Sequence, residues 1–148
     1  MKRSSGGDAY EIGQVPGELT PAEVPLSLEQ LEAGFPAPNG GYIDRRLDVG
    51  AFLVHHPANT YMYGVRGESM RDAGILPGDC VLVDVSEPVR DGDIVVASLD
   101  GEFTVKIFRR GPPLRFEPCN PEFAEIVPDD YTRVEIIGPV VSVVRRYR

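Results

Sequence analysis

The sequence predicts a mostly-β fold, a compact domain of short strands preceded by an extended N-terminal arm. Three observations predict it. From residue 61 onward the chain is a series of short runs rich in Val and Ile. Turn-forming residues punctuate those runs at Pro77-Gly78-Asp79, Asp91-Gly92-Asp93 and Asp100-Gly101. No long helical period interrupts them.

The elements follow in order. Residues 1–41 are rich in Gly, Pro, Ser and Glu, with prolines at 16, 21, 25, 36 and 38, and are read as the arm; residues 42–148 are the β-rich domain. Within the arm, Ser27-Leu28-Glu29-Gln30 has the form of a capping box for one short helix, with Gly34 at its C-cap. Asp48 is placed to cap a second short helix running to about Val54, ended before Pro57. Strands are expected over residues 61–66, 80–84, 93–99, 102–108, 114–117, 134–137 and 140–144. Asp100-Gly101 between two apolar runs signals a tight hairpin.

With 148 residues and 42 % hydrophobic content, the chain can bury a real core. It holds no apolar run of the roughly 18 residues that a membrane span needs, and Met1 to Gly13 lacks the apolar stretch of a signal peptide. The protein is therefore expected in the cytoplasm, with Cys80 and Cys119 as reduced thiols and no metal or other cofactor. A net charge of −8 argues against stand-alone DNA binding, which depends on clustered cations. The one basic cluster, Arg145, Arg146 and Arg148, reads as a solvated strand end.

The basic residues are unevenly chosen. Of fifteen, thirteen are Arg, and the two lysines are Lys2 and Lys106. Lys106 lies in the apolar run Phe103-Thr104-Val105-Lys106-Ile107-Phe108. Arg stays protonated in proteins, whereas a lysine that is buried among apolar groups has its ammonium disfavoured and can act as a base. In a strand, Lys106 shares a face with Thr104 and Phe108, and Val105 and Ile107 point the other way. The alternative is an edge-strand lysine whose amine reaches solvent.

Ser69 lies in Val65-Arg66-Gly67-Glu68-Ser69-Met70-Arg71, where a strand gives way to a turn. Gly67 permits a sharp bend, and free backbone N–H groups there are suited to an oxyanion. Ser69 is either a nucleophile or the N-cap of one helical turn. A serine nucleophile needs a base. His55 and His56, just before Pro57, read as ordinary surface residues, and no Gly-x-Ser-x-Gly elbow is present, which leaves Lys106.

These segments resemble a known family. Gly67-Glu68-Ser69-Met70 followed by Gly74-Ile75 and Gly78-Asp79, then Asp91-Gly92-Asp93-Ile94-Val95-Val96-Ala97 and Asp100-Gly101-Glu102-Phe103-Thr104-Val105-Lys106, resemble the nucleophile and base segments of the LexA/UmuD-type self-cleaving serine peptidases. Ser69 and Lys106 stand 37 residues apart, the family's spacing. The likeness runs from about Val24 to the C-terminus and is strongest to the UmuD-like members, which are regulatory subunits of the translesion polymerase V; it includes Ala33-Gly34-Phe35-Pro36 and Val54-His55-His56-Pro57-Ala58-Asn59-Thr60-Tyr61.

The resemblance implies a compact β peptidase domain, Ser69 as nucleophile, Lys106 as general base and self-cleavage of the Ala33-Gly34 bond. It further implies a homodimer, stimulation of cleavage by a RecA filament on single-stranded DNA after DNA damage, and a processed form that joins a Y-family polymerase catalytic subunit. A helix over residues 28–33 would hide the scissile bond, so that segment is expected to switch between a stored and an extended form. Residues 1–23 match no motif of the family. Three rivals are a LexA-like or phage-type repressor, a signal-peptidase-like enzyme and a non-catalytic β module. The first needs a DNA-binding unit, but only 33 acidic, proline-broken residues precede Gly34. The second needs a membrane anchor.

Overall fold

A computed structural model describes residues 1–27 and 43–148. The expected helix over residues 28–33, its Gly34 cap and the Ala33-Gly34 bond lie outside the described residues. Nine strands are described: β1 (Ala9–Gln14), β2 (Glu23–Ser27), β3 (Ile43–Asp48), β4 (Thr60–Val65), β5 (Cys80–Asp84), β6 (Ile94–Leu99), β7 (Glu102–Arg109), β8 (Arg115–Glu117) and β9 (Val134–Val144). The mostly-β expectation holds.

Seven strands form one sheet in the order β1-β4-β5-β9-β6-β7-β8, and an Ala9–Phe103 pair joins β1 back to β7. The sheet thus closes on itself as a barrel-like ring, with β8 added outside β7. β2 and β3 form a separate antiparallel pair. Closure removes most of the exposed edges that a long open sheet would present.

Most of the sequence signals map onto these elements directly. Asp48 ends β3 and caps helix α1 (Val49–Leu53), accepting from the N–H groups of Gly50 at 3.0 Å and Ala51 at 3.4 Å. Asp100 and Gly101, at φ 52° and 85°, make the left-handed pair of a two-residue hairpin between β6 and β7. Expected strands 134–137 and 140–144 are instead one strand, β9. Its first part pairs with β6 and its second with β5, and Gly138-Pro139 sits near the changeover, opposite Val96 and Val95. Proline's missing N–H is tolerated where the ladder changes partner.

β1 lies within the stretch read from the sequence as an arm. It is extended, as expected of that arm, but it is hydrogen-bonded to β4 across five register pairs, from Ala9–Val65 to Gln14–Tyr61.

The core has two parts, one on each side of β6 and β7. Val65, Met70, Ile75, Val81, Val83, Val96 and Val105 fill one, and Val95, Ala97, Phe108 and Phe116 the other. The period-2 alternation along β7 puts Val105 in the first core and Phe108 in the second, and so fixes the face on which Lys106 projects.

Candidate active site

The turn that carries Ser69 follows β4 and is tied at several points. The Val65 N–H donates to Asp79 O and the Gly78 N–H to Val65 O, pinning the turn's base. The Cys119 N–H donates to Ser69 O at 2.7 Å, and the Asp72 N–H donates to Cys119 O. The buried Asn120 amide donates to Glu68 O at 2.9 Å. Met70 anchors the turn from below in the first core, which directs Ser69 to the opposite side. The backbone N–H groups of Glu68, Ser69 and Met70 donate to no acceptor among the described residues. That leaves them available to a developing oxyanion.

A short 3-10 turn does follow, over Arg71–Ala73, but its cap is Met70 and no side chain caps it. The N-cap alternative for Ser69 is therefore not what the structure shows. Its hydroxyl is engaged elsewhere, and its residue is 1 % exposed.

Lys106 is fully buried, at 0 % exposure, so the edge-strand alternative is also set aside. β7 has β6 on one side and β8 on the other, and the amine turns inward. The Lys106 Nζ stands 2.9 Å from Ser69 Oγ, 2.7 Å from Thr104 Oγ1 and 2.7 Å from Asp8 Oδ2. Burial holds the amine below the ordinary lysine value, while the charge and hydrogen bond of Asp8 push it back up.

Asp8 was not among the expected site residues. Its carboxylate accepts from Ser69 Oγ at 2.5 Å, Thr104 Oγ1 at 2.7 Å, the Val105 N–H at 3.2 Å and Lys106 Nζ. No sequence signal marks it, because the contact spans 61 residues to Ser69 and 98 to Lys106. Thr104 was legible as a face-mate of Lys106, although its hydrogen-bonding role was not. Asn120 was missed altogether.

His56 takes no part in this cluster. Its Nδ1 lies 2.6 Å from Asp84 Oδ2, and that hydrogen bond, with the carboxylate's charge, raises the imidazole's pKa above its usual value. Arg145, read above as part of a solvated strand end, is instead bound to the buried Asp79, with its Nε 2.6 Å from Oδ1 and an Nη 2.7 Å from Oδ2. A guanidinium fits a carboxylate in this two-pronged way, which a sequence count of charges does not reveal. Cys80 and Cys119 are free thiols.

A serine hydroxyl and a buried amine in contact, beside N–H groups that have no acceptor among the described residues, can support acyl transfer. Comparison with known proteins agrees. The family model described as Peptidase S24-like matches residues 25–141. The chain belongs to the S24-like peptidases. This family comprises self-cleaving serine peptidases, and the LexA/UmuD-type resemblance read from the sequence stands. Among relatives of this S24-like chain, Protein SamA of Salmonella typhimurium is 35 % identical over 131 residues, covering 88 % of this chain and 91 % of SamA. Protein MucA of Escherichia coli is 40 % identical over 118 residues, covering 79 % and 81 %. The LexA repressor of Anaeromyxobacter sp. is 36 % identical over 154 residues, covering 95 % of this chain and 66 % of the repressor.

Proposed function

We propose that this S24-like chain cuts its own Ala33-Gly34 bond, with Ser69 as nucleophile and Lys106 as general base. The supporting observation is the 2.9 Å approach of the two buried side chains. Neutral Lys106 takes the Ser69 proton as Oγ attacks the Ala33 carbonyl carbon. The N–H groups around Ser69, Glu68 among them, hold the oxyanion. The Lys106 ammonium returns its proton to the Gly34 nitrogen as the C–N bond breaks. Water then releases Ala33 from the Ser69 ester, leaving a chain that starts at Gly34.

The biological reading follows the UmuD-like resemblance. Cleavage is stimulated after DNA damage by a RecA filament on single-stranded DNA. The processed form, as a homodimer in the cytoplasm, serves as accessory subunit of a Y-family polymerase in error-prone lesion bypass. Relatives in the S24-like family that cover most of both chains support this assignment over a stand-alone module.

The identity to a LexA repressor favours a second reading, a repressor's peptidase domain. The described residues ahead of the proposed cleavage site, 1–27, contain strands β1 and β2 and no helix. A gel-shift assay on the intact protein separates the two. No helix among the described residues is long and apolar enough to cross a membrane, as the signal-peptidase alternative would require.

The direct test is mass spectrometry of purified protein after alkaline incubation. A fragment beginning at Gly34 is expected, absent from Ser69→Ala and from Lys106→Ala. An intact wild-type chain would count against the peptidase reading.

A further inference from the structure

The described residues place an unexpected occupant on the dyad. Residues 3–14 cross it, tied down on both sides. Ahead of the site, the Arg3 N–H donates to Glu122 O, the Ala124 N–H donates to Arg3 O, and the Arg3 guanidinium lies 4.8 Å from the Phe123 ring centre. Beyond it, β1 is laddered to β4, the Arg66 N–H donates to Asp8 O at 2.9 Å, and the Tyr10 ring covers Gly64 with the Arg66 guanidinium stacked over it at 4.5 Å. Between these anchors Ser5 is buried, Gly7 takes a left-handed turn at φ 75°, and the Asp8 side chain is only 9 % exposed.

The hydrogen bonds run against catalysis. In the docked state Ser69 donates its proton to Asp8, and Lys106 donates to both Asp8 and Ser69. A general base must instead accept the serine's proton, and so must be free of its own extra one. The Asp8 carboxylate favours the charged amine, which cannot serve. Space excludes the substrate as well. An attacked carbonyl carbon has to come within about 3–3.5 Å of the nucleophile, and Asp8 Oδ2 already stands 2.5 Å from Ser69 Oγ.

From this we infer that residues 3–14 are a built-in competitor of the cleavage segment: docked, they seat Asp8 on Ser69 and Lys106 and silence the dyad, and they must leave before Ala33-Gly34 can enter. The inference rests on the peptidase reading above. Asp8 and the cleavage site belong to one chain, so their competition does not depend on protein concentration when the cut is made in cis. Each tenfold preference for the docked state lowers the observed rate about tenfold. Among the described residues, Asp8 is the one charged group in contact with the Lys106 amine; Ser5, Ser69, Thr104 and the Val105 carbonyl are its neutral contacts, and Glu102 packs beside Gly6 and Gly7.

The test measures the rate of the Gly34 fragment against pH in the full chain, Asp8→Asn and Tyr10→Ala. Asp8→Asn removes the charge that favours the ammonium, so its rate is expected to exceed wild type by about tenfold or more near neutral pH, with the rising limb of the profile moved to lower pH. Tyr10→Ala loosens β1 without touching the dyad and is expected to raise the rate in the same direction. Equal rates and an unmoved profile in both variants, with wild-type melting behaviour, would overturn the competitor while leaving the peptidase intact. No cleavage in any form at any pH would overturn the peptidase reading, and this one with it. If Asp8→Asn folds poorly, Tyr10→Ala decides alone: a faster rate supports the competitor and an unchanged one overturns it.

Discussion

At the scale of single residues, the site turns on how one amine is surrounded. Lys106 has no exposed surface, and moving an ion out of water costs several kcal/mol even after relaxation. Asp8 offsets part of that cost when docked. Burial lowers the amine's pKa, the direction a base near neutral pH requires, while docked Asp8 pushes it back up. Self-cleavage is therefore expected to rise with pH through the Lys106 value and level off above it, as followed by fragment yield in timed incubations. A rate flat from neutral to alkaline pH, with chemistry limiting, argues for a different base. Thr104 holds the amine from the side at 2.7 Å. Thr104→Val keeps the shape but leaves one amine proton without its acceptor, and a misaimed base slows the reaction. A loss of roughly tenfold or more in plateau rate is expected, within the ~10²–10⁴-fold that a positioned base contributes, and a plateau equal to wild type would remove Thr104 from the mechanism.

Among the elements, β9 shows most clearly how local sequence and tertiary pairing divide the work. Gly138-Pro139 reads as a break because both residues weaken a strand locally. In the ring they mark the point where β9 leaves β6 for β5, and Gly138 is there for space: a Cβ on it would stand 2.9 Å from Val83 Cγ1 and 3.0 Å from Asp84 O. Gly138→Ala is expected to destabilise the fold by about 1–3 kcal/mol through overpacking, measured by urea denaturation; an unchanged midpoint would mean the two strands part freely. The same division explains what the sequence made legible. β5 was bounded correctly and the β6–β7 hairpin was recognised, because alternating apolar residues and the Asp100-Gly101 turn are local signals. β1 gave no such signal, since Tyr10, Glu11 and Ile12 are all exposed and glycines and prolines flank the strand. Its structure comes from pairing with β4, distant in sequence. Ser69 and Lys106 were legible through residue type and spacing, whereas Asp8 and Asn120 act only through contacts that folding creates.

On the scale of the whole molecule, closure ties the site to the chain's far end. Arg145, just past β9, binds the buried Asp79 beneath the turn that presents Ser69. The hydrogen bonds from Arg145 hold the Asp79 carboxyl below its usual pKa. Its contribution to stability is thus fully present above pH 3.8 and is lost as the pH falls through the lower folded value. Arg145→Ala is expected to lower the melting temperature at neutral pH, with the gap to wild type closing under acid; thermal melts across pH check this, and a constant gap would assign the loss to packing instead. β1 has its own consequence at this scale. It is the stave between β4 and β7, so its departure would unzip the ring and bare the outer rim of β4, whose N–H and C=O groups then face water. An open rim of that kind invites a strand from another molecule. A chain shortened by its first fourteen residues should therefore grow heavier on a sizing column as it is concentrated, its vacant slot filled by a neighbour's backbone.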